Sequence, residues 1–141
     1  MNTRETLQSI GERYNIQALY VFGSRAAEVA AFLRGEGPSP SHSVATSDVD
    51  VGVRPVRHLS AQERVRLMLE LEDLLGGARV DLVILPEAPA SLAAEIVAGE
   101  LVYTTGPGEA AEYELYCLRR AGDQAFLERE RRRMILTGGG R

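Results

Sequence analysis

The sequence predicts an α/β (α+β) domain: a mixed sheet of about four strands, with helices packed mainly on one face and a long C-terminal helix. Two observations carry this. Short runs rich in β-branched and aromatic residues alternate along the chain with stretches of helical periodicity. The 141 residues, 45% hydrophobic and 26% charged, suit one soluble domain, and no internal repeat or second core is visible. Strand order is not legible at this stage.

The first helix is expected from Asn2 or Thr3 to about Tyr14, with Leu7 and Ile10 on its apolar side and an Asn/Thr cap. "IQALYVF" (16–22) reads as a strand. "SRAAEVAAFLR" (24–34) reads as a helix, and "GEGPSPSHSVATS" (35–47) as a loop without periodicity. "DVDVGVR" (48–54) alternates, placing Val49, Val51 and Val53 on one face of a strand that Pro55 ends.

"SAQERVRLMLELEDLL" (60–75) opens on a capping box, Ser60 and Glu63, and stops at Gly76-Gly77. "RVDLVIL" (79–85) is a strand closed by Pro86, a short helix follows near 91–98, and "ELVYTT" (100–105) is the last strand. A charged helix from about Glu109 to Leu136 finishes in the tail "TGGGR", though Gly122 is a possible break. Residues 1–107 thus form the main body, and 108–141 a C-terminal helix and tail of the same domain.

Composition removes much familiar chemistry. One cysteine, Cys117, rules out an internal disulfide, and with only His42 and His58 a cysteine/histidine zinc site is not supported. All 16 basic residues are arginine, which excludes a Schiff-base lysine and a Walker-A loop. No apolar stretch is long enough to span a bilayer, and the charged, amphipathic start lacks the apolar core of a secretory signal. A cytoplasmic protein is expected. The net charge of −4 and the glutamates interleaved with the arginines of "LERERRRM" argue against a nucleic-acid partner.

Carboxylates, hydroxyls and arginines remain. Asp48 and Asp50, two apart on a strand, project from the face opposite the valines. Two adjacent carboxylates repel, and a divalent cation such as Mg²⁺ resolves the repulsion, with phosphate oxygens and water completing its shell. Asp81, inside another strand, joins them if the two strands are neighbours, which would suit two metal ions or one metal and a base. The same residues also suit a turn, a cap or a solvated strand end.

"LYVFGSRAAE" (19–28) supplies the other half of a site. Gly23 permits a tight turn at the end of a strand, and Ser24 then opens a helix whose free N–H groups favour phosphate. Arg25 can add positive charge in place of the absent lysine. A plain N-cap role for Ser24 is the alternative.

In that order, "FGSRA", "SDVDVGV" and "VDLVIL" resemble the DNA polymerase beta-like nucleotidyltransferase superfamily over roughly residues 1 to 105. The small size is most similar to the minimal nucleotidyltransferases that serve as antitoxins to HEPN-domain toxins. The resemblance implies that Gly23 and Ser24 hold the triphosphate of ATP, beside Arg25 as the third nucleotide-binding candidate. It implies that Asp48, Asp50 and Asp81 bind catalytic Mg²⁺ in a two-ion site, and that Asp81, the third acid, helps activate the attacking hydroxyl. It further implies AMP transfer onto a hydroxyl of a HEPN-type partner. Two other outcomes stay open: a non-catalytic antitoxin that occludes its partner through the terminal helix, and a small-molecule acceptor. The 23 residues between Ser24 and Asp48 form a longer linker than minimal members usually carry, and His42 within it reads as solvated rather than catalytic.

Overall fold

The computed structural model describes residues 1–40 and 48–137. Its elements are α1 (Thr3–Arg13), β1 (Ile16–Phe22), α2 (Ala26–Leu33), β2 (Val49–Pro55), α3 (Ala61–Leu74), β3 (Val80–Ile84), α4 (Ala90–Val97), β4 (Glu100–Thr104) and α5 (Pro107–Leu136). A 3-10 turn at Leu85–Glu87 joins β3 to α4. The loop expected over 41–47, with His42, and the tail 138–141 lie outside the described residues.

The strands form one sheet in the order β3-β2-β1-β4. β1 runs antiparallel to both β2 and β4, whereas β2 and β3 are parallel and joined through α3. The C-terminal end of β1 therefore meets the N-terminal ends of its neighbours. Register makes this concrete: Phe22 lies opposite Asp50, Asp50 opposite Asp81, and Val21 opposite Glu100.

The alternation in β2 sorts the two faces. Val49, Val51 and Val53 join a core with Leu7 and Ile10 of α1, Val29 and Leu33 of α2, and Leu67 and Leu71 of α3. α1 begins where Asn2 Oδ1 accepts from Glu5 N–H at 2.8 Å, and α3 begins in the expected Ser60/Glu63 capping box. On the other face, Ala18, Tyr20 and Phe22 pack with Leu85, Ala93, Ile96 and Cys117. Three helices thus cover one face, while α4 and the first turns of α5 cover part of the other.

Gly52 sets how closely α4 approaches. A methyl group there would stand 2.5 Å from Ile96 Cγ2, so only a residue without a side chain lets α4 lie directly on β2. α5 is anchored near its start. Tyr20 Oη donates to Glu114 Oε2 at 2.7 Å, and the Arg54 guanidinium sits 4.0 Å from the Tyr113 ring centroid. Gly122 does not break the helix, which runs for 30 residues. Its last half leaves the domain: Phe126, Leu127, Met134, Ile135 and Leu136 are all exposed. No described helix is long and apolar enough to cross a membrane.

Candidate active site

β1 ends at Phe22, and the chain turns at Gly23 with φ +79°, in the left-handed region that glycine alone adopts without strain. A side-chain carbon at Gly23 would collide with Asp50 Oδ2. The turn is therefore folded directly against the Asp50 carboxylate.

This turn also shifts the start of α2. The helix begins at Ala26, two residues later than its composition suggests, because Ser24 and Arg25 are consumed in reversing the chain. Arg25 occupies the N-cap position and no side chain accepts a capping bond, so Ser24 does not serve as the cap. Ser24 is exposed and lines a cleft of about 420 Å³ together with Gly23, Ala27, Glu95, Gly99 and Glu100.

Arg25 sits away from the cleft, among protein partners. It is only 6% exposed, its Nε donates to Glu28 Oε1 at 2.7 Å, and a terminal nitrogen donates to Pro40 O at 2.8 Å. It does not line the cleft. A guanidinium drawn into a carboxylate and a carbonyl braces the α2 connection instead of facing a phosphate.

The sheet brings Asp50 and Asp81 together. β2 and β3 are neighbours in parallel register, so Asp50 and Asp81 stand side by side on one face, with Asp48 at the entry to β2. Burial pushes the Asp50 carboxyl above its ordinary value, and the negative charges of Asp81, Asp48 and Glu95 push it the same way. Asp48 and Asp81 are exposed, and Asp50 is half-buried between them.

Glu95 escaped the sequence reading. It is the sole charged residue of α4 (ASLAAEIV), which is a weak signal in itself. Only the docking of α4 on Gly52 brings it to the aspartates. Glu100, at the start of β4, also lines the cleft and pairs with Arg34 at 3.3 Å.

Among the described residues no arginine or histidine forms an ion pair with Asp48, Asp50, Asp81 or Glu95, which fits a divalent metal shared with a polyphosphate. Among the described residues no group of three or more His, Cys, Asp or Glu side chains is arranged to hold a metal ion by itself. An open arrangement is what Mg²⁺ uses when substrate oxygens complete its shell. The other titratable groups serve elsewhere. His58 is exposed, 4.0 Å from Glu87, and Cys117 is buried, where desolvation raises its thiol pKa and leaves it unreactive.

Residues 5–107 match the family described as Polymerase beta, Nucleotidyltransferase. The chain belongs to this family. Its glycine turn, Asp48, Asp50 and Asp81 all fall inside the matched segment. No curated protein is significantly similar in sequence.

Several solved structures share the nucleotidyltransferase fold. A mutant of the MntA–HpeT toxin–antitoxin is 19% identical, with 94% of each chain covered and a TM-score of 0.65. A toxin–antitoxin with AMP-PNP is 20% identical, again with 94% of each covered and a TM-score of 0.62. A third holds the tri-AMPylated Shewanella oneidensis HEPN toxin in complex with MNT antitoxin. It is 20% identical over 94% of this chain and 92% of that chain, with a TM-score of 0.59. At these identities the likeness is one of fold.

Proposed function

We propose that this nucleotidyltransferase transfers AMP from ATP to a hydroxyl group of a HEPN-type partner protein, acting as its antitoxin in the cytoplasm. The observation that carries the reading is Asp50, held between Asp48 and Asp81 and pressed against the Gly23 turn. Family membership supports the reaction class. Neighbours with AMP-PNP and with an AMPylated HEPN toxin support the nucleotide and the acceptor.

In this reading Asp48, Asp50 and Asp81 would hold Mg²⁺, in one or two ions. The ion would supply charge neutralisation at the phosphates, the largest electrostatic barrier to such a transfer. The Gly23-Ser24 turn lies where its backbone N–H groups and the Ser24 hydroxyl can hydrogen-bond phosphate oxygens in the cleft. Asp81, on the edge strand β3, would take the proton of the attacking hydroxyl. The acceptor oxygen bonds to the α-phosphorus, the bond from that phosphorus to the bridging oxygen breaks, and pyrophosphate leaves. Positioning within the cleft lowers the barrier further. Residues 1–107 would carry this chemistry, and 108–141 would add contacts to the partner.

The test is intact-mass analysis of the HEPN-type partner after incubation with this chain, ATP and Mg²⁺. Added AMP that disappears with Asp48→Asn plus Asp50→Asn is the expected result, and no mass change in the wild type overturns it. A second reading, neutralisation by occlusion, rests on the exposed apolar residues of the α5 projection. It predicts that the double variant still binds and silences the partner.

A further inference from the structure

β3 is the terminal strand of the sheet, and its outer edge lies beside the aspartates. Val49 N–H donates to Arg79 O at 2.8 Å, so Arg79 faces β2, and the next residue turns outward, where Val80 N–H donates to Glu72 Oε2 at 2.9 Å. Continued alternation turns the Leu82 N–H and C=O and the Ile84 N–H away from β2. Such an edge is a template for another strand.

This edge forms the floor of a groove of about 460 Å³. Val65 and Met68 of α3 line one wall; Pro89 and Leu92 line the other. Val65 is 51% exposed, an apolar side chain that nothing in the domain covers. Asp81 belongs both to the groove and to the carboxylate cluster, so the groove is continuous with the site.

We infer that the acceptor enters this groove as an extended peptide segment, adding a strand to the outer edge of β3 and presenting a Ser, Thr or Tyr hydroxyl to Asp81. The inference rests on the nucleotidyl-transfer reading above and names the form in which its acceptor binds. Strand addition supplies backbone hydrogen bonds, while alternate side chains enter the walls. The hydroxyl residue shares the face of Asp81 and Val83; its two neighbours fall on the Leu82 face, against Val65 and Met68. The acceptor segment should therefore carry an apolar residue on each side of the modified one.

Charge favours peptide over nucleic acid. The groove holds Asp81 and Glu87, and its one cation, Arg64, is engaged by Glu87 through two bonds of 2.9 and 2.6 Å. A phosphodiester backbone would meet the Asp81 carboxylate there and a cation already engaged by Glu87.

The experiment combines hydrogen–deuterium exchange of the full chain with transfer kinetics, using the HEPN-type partner and Mg·ATP as probes. Binding of the partner should slow exchange at Leu82 and Ile84. Val65→Arg, at an exposed position, should raise the KM for the partner roughly tenfold, the effect of losing one good interface contact. The KM for ATP should not move.

Transfer with unprotected β3 amides and a silent Val65→Arg overturns the strand and leaves nucleotidyl transfer standing. Wild-type chain that binds ATP but transfers nothing to the partner overturns both. Protection that depends on chain concentration without the partner assigns the edge to pairing between copies. Transfer only to a small hydroxyl compound or to nucleic acid overturns the peptide assignment.

Discussion

The backbone of Gly23 and the carboxylate of Asp50 occupy adjoining space, with no room for a side-chain carbon between them. The turn proposed to hold phosphate and the acid proposed to hold metal are thereby held as one unit. Gly23→Ala must place a β-carbon at φ +79° and push Asp50 aside. The backbone term alone costs about 1–2 kcal/mol. Displacing the carboxylate by an ångström should slow AMP transfer on the order of 100-fold. Urea unfolding and single-turnover transfer measure the two effects separately.

Asp50 makes the apoprotein's stability depend on pH. Its pKa is raised by burial and by the Asp81, Asp48 and Glu95 charges, so the folded state holds this proton more firmly than the unfolded chain. The contribution is unfavourable above the raised pKa and disappears as pH falls below the ordinary carboxylate value. Asp50→Asn should therefore raise the melting temperature by a few degrees at neutral pH without metal, and by nothing in acid. Mg²⁺ should stabilise the wild type and not the variant, because only a bound ion adds to folding. Scanning calorimetry across pH, with and without Mg²⁺, checks both statements.

Glu95 adds negative potential where the aspartates already repel one another. Glu95→Gln should weaken cation binding and raise the Mg²⁺ concentration for half-maximal transfer about two- to fivefold, as one nearby unit charge does. A Mg²⁺ titration at saturating ATP decides it. An unchanged midpoint would remove Glu95 from the site's electrostatics.

Tyr20 ties the sheet to α5 through Glu114. The tyrosine is 1% exposed, so Tyr20→Phe leaves the Glu114 carboxylate without its donor. Loss of a hydrogen bond to a charged group should cost about 1.5–3 kcal/mol. Chemical denaturation of the variant measures this. A cost near zero would mean that α5 is held by Cys117, Tyr113 and the Arg54 contact alone.

The α5 projection separates folding from partner binding. From Gly122 to Thr137 no residue is buried, so a chain ending at Ala121 should keep its unfolding midpoint and its affinity for Mg·ATP. If the projection docks the partner, the same truncation abolishes a stable complex on size-exclusion chromatography. A complex that survives assigns docking to the domain itself.

The sequence by itself determined the elements and the chemical inventory. β1 runs over Ile16–Phe22 as its β-branched and aromatic content indicates, and the Ser60/Glu63 box starts α3, because both signals are local and short-range. The valine alternation in β2 likewise decided that Asp50 points away from the main core. Absent lysine and scarce cysteine and histidine narrowed the chemistry without any coordinates.

Tertiary structure alone decided the rest. That Asp81 stands beside Asp50 depends on β3 pairing in parallel with β2, a contact between residues 31 positions apart in numbering (81 − 50) that no local pattern encodes. Glu95 enters the site only because Gly52 lets α4 down onto the sheet. Arg25, apparently free in the sequence to meet a phosphate, is claimed by Glu28 and Pro40 once the turn at Gly23 reverses the chain. Local propensity depends on neighbours in the chain, whereas a site depends on neighbours in space, and those are chosen by the packing of the whole core.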